Sequence, residues 1–240
     1  MRTRTVKRKA QQQQPPAAQP DTGLVAPAGR REQNKADKLR RIRAAAYDLF
    51  TTGGFDDTTL RQIAVRAEVG FGTLFSYASN KRDLLFLVVT DDLLEMNRRA
   101  FDNVPTDIPL LDQLLYVWQI FYTFFDMQPT LARLTLRELN FYSEGEQARK
   151  IYQGRDAMMA RLTALVTAAR ERGEIRTATA DARIARAIFA IYSAEVRRWI
   201  GDDNRDMASG MVELRQLLRL LITGITHPVG NPDGGSTAAV

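Results

Sequence analysis

The chain has 240 residues, 45% of them apolar, enough for one large or two small soluble domains. It has no cysteine, which excludes disulfides, thiolate metal sites and cysteine nucleophiles and makes the reducing cytoplasm the expected compartment, and its single histidine, His227, sits in a Pro/Gly-rich tail, which speaks against a histidine-based triad or metal site. The net charge of +6 is uneven: residues 1–83 carry 16 Lys/Arg against 8 Asp/Glu and the rest 18 against 20, so a polyanion partner is expected for the first third.

Residues 1–32 read as a disordered basic and Gln/Pro arm. Arg2, Arg4, Lys7, Arg8 and Lys9 come first, and the tract Gln11 to Pro20 has almost nothing to bury. The start is basic but no apolar stretch follows, so it does not read as a secretory signal. No run approaches the roughly 18 apolar residues of a membrane span. From there the apolar residues recur at three- and four-residue steps, which predicts helices throughout. The first spans about 34–52, buries Ile42, Ala45, Ala46 and Leu49, and stops at Gly53-Gly54. Short helices follow at about 59–67 and 71–77, then a longer one at about 81–102. Pro105 and Pro109 mark a loop, and further helices are expected at about 109–126, 129–143, 146–172, 181–200 and 205–225. Pro129 suits a first helical turn and Gly173 a helix stop. The division expected is a disordered arm (1–32), a helix-turn-helix DNA-binding domain (33–84), a helical ligand-binding and dimerisation domain (85–226) and a disordered tail (227–240).

Thr58 to Tyr77 is the informative stretch. Leu60, Ile63, Ala64 and Ala67 make the inner face of one short helix, capped by Thr58 or Thr59. Val69 and Leu74 stand at staple positions around the start of the next, whose Phe71, Thr73, Ser76 and Tyr77 are expected outside, where hydroxyls and aromatic edges suit a major groove. Leu74 and Phe75 are expected in the core. Asn80 is a cap for the fourth helix with Asp83 as its reciprocal partner, which sets Lys81 and Arg82 at the groove's edge.

The ordered set Ala45, Ala46, Leu49, Phe50; Gly54, Phe55; Thr59, Ile63, Ala64; Gly72, Thr73, Leu74, Phe75, Tyr77; and Lys81, Leu84, Leu85 resembles the TetR family of bacterial regulators. The resemblance covers residues 38–89. It implies that Thr73, Ser76 and Tyr77 face DNA, that Thr59, Tyr77 and Lys81 contact phosphates, and that an inducer pocket lies in the second domain. The DNA-contact candidates are therefore Thr58, Thr59, Phe71, Gly72, Thr73, Ser76, Tyr77 and Lys81. Three positions depart from the family pattern. Glu68 stands where glycine is usual, Phe71 where a polar or basic residue is usual, and Ala78-Ser79 replaces an aromatic-proline pair. A left-handed backbone at Glu68 would cost on the order of 1 kcal/mol.

Beyond residue 100, aromatics and methionines are dense enough either to fill a core or to line an apolar cavity. The candidate ligand contacts are Trp118, Phe121, Tyr122, Phe125, Arg137, Asn140, Phe141, Tyr192 and Glu195, with surface or interface ion pairing as the alternative for the polar ones. Ile184, Ile188 and Ile191, and the stripe Met207, Met211, Leu214, Leu218, Leu221 and Ile225, suggest a homodimer built as a four-helix bundle, or else an intrachain core. The expectation is an all-α transcriptional repressor, not an enzyme, with no cofactor and no metal. It would bind a near-palindromic operator in double-stranded DNA and leave it on binding a small apolar or amphipathic effector. The rivals are an all-α enzyme using the aromatic cavity and a helical protein-binding module.

Overall fold

The computed structural model describes residues 29–140 and 144–226. They form nine α-helices and no strand: α1 (Arg30–Thr52), α2 (Leu60–Arg66), α3 (Phe71–Phe75), α4 (Lys81–Asp102), α5 (Leu110–Met127), α6 (Pro129–Leu139), α7 (Glu146–Glu171), α8 (Asp181–Gly201) and α9 (Met207–Thr226). The first part of the arm, Phe141, Tyr142 and the tail with His227 lie outside the described residues.

Local chemistry sets the ends. α1 begins at Arg30, a turn earlier than periodicity predicts, because its first turns are exposed strong helix formers with no apolar stripe to announce them. It ends at Gly53, whose N–H donates to the Leu49 carbonyl. α2 has a full capping box: Gln62 N–H donates to Thr59 Oγ1 at 3.2 Å, and Thr59 N–H donates to Gln62 Oε1 at 2.7 Å. α4 is capped by Asn80 Oδ1, which accepts from Asp83 N–H at 2.8 Å. The return bond differs from the expected box, since the Asp83 carboxylate accepts from Ser79 N–H at 2.9 Å, one residue earlier. α6 opens with Pro129 in its first turn and stops at Leu139, four residues short of the sequence expectation.

Two apolar clusters organise the helices. The first joins α1, α2, α3 and the first half of α4 around Ile42, Phe50, Ile63, Leu74, Leu84, Leu85 and Phe86. It also takes in Leu131 and Leu134 of α6 and Ala148 of α7, so the helix-turn-helix is clamped from behind by the rest of the chain. The second is built from α5, α7, α8 and α9 with the far end of α4 and with Ala132 and Leu136 of α6. At its centre the Trp118 and Tyr192 rings stack, centroids 3.7 Å apart, and Tyr122 lies on Trp199 at 4.6 Å. Ile184 and Ile188, suggested by the sequence for a dimer face, are buried inside this cluster.

Candidate DNA-reading surface and effector cavity

The turn between α2 and α3 is a Schellman motif. Val69 N–H donates to the Ala64 carbonyl at 3.0 Å and Glu68 N–H to the Val65 carbonyl at 3.0 Å. Glu68 holds the left-handed position at φ 52°, the one non-glycine positive φ among the described residues. Arg41 of α1 braces it, with Nη1 3.3 Å from both the Glu68 carbonyl and Oε2.

α3 packs inward through Leu74, and Ala78 just beyond the helix is buried beside it. One step on, about 100° around the helix, Phe75 points out and is 45% exposed, contrary to the expectation of a core role. It meets Phe71 edge-on at 5.0 Å, and the Arg61 guanidinium lies over the Phe71 ring at 5.6 Å. Gly72 has open space where a Cβ would stand. Ser76 is exposed and its hydroxyl donates to the Thr73 carbonyl at 2.7 Å.

The other DNA candidates have intrachain partners. Thr58 is buried, and its hydroxyl donates to the carbonyls of Leu49 and Gly54 at 3.1 and 2.6 Å. Thr59 is the α2 cap. Tyr77 donates its hydroxyl to the Lys35 carbonyl at 3.3 Å, tying the end of α3 to α1. Lys81 Nζ donates to the carbonyls of Phe55 and Asp56 at 2.7 and 2.9 Å and lies over the Phe55 ring at 4.7 Å. Beside Thr73, Ser76 and Tyr77 runs an open groove lined on its α1 side by Arg30, Arg31, Lys35 and Lys38. These four cations of early α1 are part of the basic excess of the first third, but no motif in the sequence marked them individually.

An apolar cavity of about 120 Å³ lies between α4, α5, α6, α7 and α8. Of the candidates, Phe121, Phe125 and Tyr192 line it. Trp118 and Tyr122 are wholly buried behind it, and burial raises the pKa of the Tyr122 and Tyr192 hydroxyls. Glu195 pairs with Arg198 at 2.7 Å and Asn140 accepts from Arg197 at 2.9 Å, outside the apolar lining. Arg137 faces the helix-turn-helix and pairs with Asp56 at 3.4 Å and Glu138 at 2.9 Å. The polar residues that do line the cavity, Asn97, Arg155, Ser193 and Arg197, were not singled out from sequence. A lone polar residue within a helical stripe gives no signal until the helices are packed.

Helix α6 belongs to both regions. Leu136 and Leu139 line the cavity. Glu138, between them in sequence, accepts from Arg82 at the start of α4 at 2.7 Å.

Two short helices joined by a tight turn, a partly exposed second helix beside a basic groove, and a larger helical body holding an apolar cavity define a helix-turn-helix transcriptional regulator. Residues 42–88 match the family model described as bacterial regulatory proteins, tetR family. The fatty acid metabolism regulator protein of Bacillus subtilis (strain 168) is 26% identical over 195 residues, covering 80% of this chain and 98% of the relative. YhgD of the same organism, an uncharacterised helix-turn-helix-type transcriptional regulator, is 33% identical over 73 residues, which is 30% of this chain and 38% of YhgD. Among solved structures, Bacillus subtilis FadR in complex with stearoyl-CoA superposes with a TM-score of 0.61 at 22% identity, covering 78% of this chain and 98% of that one. Thermus thermophilus FadR in complex with lauroyl-CoA gives 0.58 at 23%, covering 82% and 100%. Residues 42–88 carry the helix-turn-helix of TetR-family regulators, and the chain is a TetR-like DNA-binding transcriptional regulator. No described helix is long and apolar enough to cross a membrane.

Proposed function

We propose that this protein is a cytoplasmic homodimeric repressor whose release from a near-palindromic operator is triggered by a long-chain fatty acyl-CoA. The reading divides the chain into a DNA-reading unit over 33–84 and an effector and dimer unit over 85–226, with no enzymatic role. One observation carries it: an apolar cavity whose α6 wall, through Arg137 and Glu138, is ion-paired to Asp56 and Arg82 of the DNA-reading unit. An acyl chain that displaces Leu136 and Leu139 shifts that wall and the helix-turn-helix with it. The ligand changes DNA affinity only by the difference in its own affinity for the two arrangements. The ligand class is supported by the acyl-CoA complexes of the FadR neighbours and by Arg155, an exposed cation at the cavity lining that suits the phosphates of a coenzyme A.

On DNA, Phe71, Gly72, Thr73 and Ser76 meet base edges, and Arg30, Arg31, Lys35 and Lys38 carry phosphates. Thr58, Thr59, Tyr77 and Lys81 hold the reading helix in place and reach the backbone only where their intrachain bonds leave room. The dimer is supported by faces left over after the core is packed: Val212 and Leu220 of α9 are exposed, alongside Ala190 and Ala194 of α8.

Fluorescence anisotropy on DNA from upstream of the protein's own gene tests the reading. Binding should weaken steeply as salt rises, because several phosphate contacts release counterions. Lauroyl- or stearoyl-CoA should lower the affinity about tenfold or more, within the usual range of allosteric coupling. DNA affinity unmoved by both thioesters would refute the effector.

A further inference from the structure

From Phe71 to Tyr77 the reading helix carries no Arg, Lys, Asn, Gln, Asp or Glu. Those are the side chains that tell bases apart by hydrogen bonds: Arg or Lys for guanine, Asn or Gln for adenine, Asp or Glu for cytosine. The helix offers instead the hydroxyls of Thr73 and Ser76, which suit any base, and two exposed aromatic rings. The Ser76 hydroxyl already donates to the Thr73 carbonyl at 2.7 Å.

The rings make one surface. Phe71 and Phe75 stand four residues apart, hence on one side of the helix, and meet edge-on at 5.0 Å. They are 42% and 45% exposed, while α3 meets the apolar cluster behind it through Leu74. The Arg61 guanidinium lies over Phe71 at 5.6 Å, so that ring is held between a cation and a second ring. At about 100° per residue, Gly72 and Ser76 fall between the ring pair and Thr73. Gly72 has open space where a Cβ would stand and Ser76 is small, so no long side chain on this crest keeps the helix from a groove floor. On the Thr73 side lies the groove with Arg30, Arg31, Lys35 and Lys38. One short helix therefore sets apolar surface on one shoulder and cations beyond the other, which fits a partner with an apolar group inside a polyanionic rim.

We propose that Phe71 and Phe75 read thymine by its 5-methyl group, and that this apolar contact, rather than hydrogen bonding, dominates operator choice. The proposal rests on the DNA reading above and adds Phe75 to its base contacts. Thymine alone of the four bases puts a methyl group into the major groove. The rings gain by covering it. Another base at that position sets a polar edge against them and loses its water with no bond in return.

The test begins by letting the full chain select binding sites from a random pool of DNA duplexes. The recovered half-sites should share thymines at fixed positions, and each is then replaced by deoxyuridine, which removes the methyl and keeps the pairing and every phosphate. Affinity, read by fluorescence anisotropy, should fall about fourfold for each methyl that the rings cover, the ratio expected for one buried carbon group. The salt dependence should not change, because the phosphate contacts are the same. In Phe71→Ala/Phe75→Ala the thymine-to-uracil ratio should drop to near one, measured at low salt where phosphate contacts sustain binding. Equal affinity of the wild type for thymine and uracil sites overturns the proposal and leaves the DNA reading standing, and that comparison needs no variant. Full discrimination retained by the double variant also overturns it, since other groups then sense the methyl. If the pool yields no preferred sequence, the methyl reading and the operator reading fall together.

Discussion

Two Schellman motifs in this chain show what a single side chain costs. At the end of α7, Gly173 occupies the left-handed position at φ 80° and Glu174 N–H closes the bond to the Ala169 carbonyl at 3.0 Å. At the end of α2 the same bonds are made around Glu68, whose Cβ crowds the neighbouring carbonyl in that conformation. The Arg41 contacts, on an exposed glutamate, return little of that strain. Glu68→Gly should therefore stabilise the protein by about 1 kcal/mol against chemical denaturation. A loss of stability would mean that the Arg41 brace outweighs the backbone strain. The same scale explains why Lys81 and Tyr77 read ambiguously from sequence. Each has the chemistry of a phosphate contact, and each is held by a backbone carbonyl that lies 25 residues or more away along the chain.

Among the elements, α6 joins the two units together with α4 and α7. Its inner residues Leu136 and Leu139 touch the cavity, and the intervening Arg137 and Glu138 reach Asp56 and Arg82. Glu138 is among the few buried charged residues, so its pairing with two arginines is what makes its burial tolerable. Glu138→Gln keeps the shape and removes the charge. It should leave the intrinsic affinity for lauroyl-CoA within about twofold yet cut the ligand-induced change in DNA affinity at least about threefold, since the coupling free energy runs through this link. Anisotropy with and without ligand measures it, and coupling equal to wild type would remove α6 as the carrier. The sequence offered ion pairing as the alternative for Arg137, but neither its partners nor the role of Glu138 was legible there. The Arg137-Glu138 pair looks like an ordinary solvated helix face until α6 is set against α4.

The whole molecule is a small DNA-reading cluster clamped by a larger aromatic core, with apolar surface to spare. Leu220 is 72% exposed and Val212 55%. These two exposed aliphatic side chains, with exposed Arg215 and Arg219 between them, are the surface that the dimer reading assigns to association. Leu220→Glu should shift the sedimentation coefficient to that of a monomer and weaken operator binding more than tenfold, because one recognition helix alone loses the second half-site. A variant that stays dimeric would move the interface elsewhere. The isoleucines of α8 illustrate how burial can be assigned but not its owner. Periodicity predicts that Ile184 and Ile188 are covered, yet only packing decided that this chain's own core covers them.

From the sequence alone came the helical class, the helix-turn-helix with its Asn80 cap and a threonine cap at 58 or 59, the basic first third and the resemblance to the TetR family. All are written in short-range patterns: apolar spacing, capping pairs and glycines at turns, each set by residues within a few positions of one another. Tertiary structure alone decided which polar groups line the cavity, that Thr58 turns inward while Phe75 turns out, and that α6 runs between the cavity and the helix-turn-helix. The cavity lining and the α6 link depend on contacts such as Arg82 with Glu138 or Arg197 with Asn140, each spanning more than 50 residues, and no local pattern fixes such a pair before the helices pack.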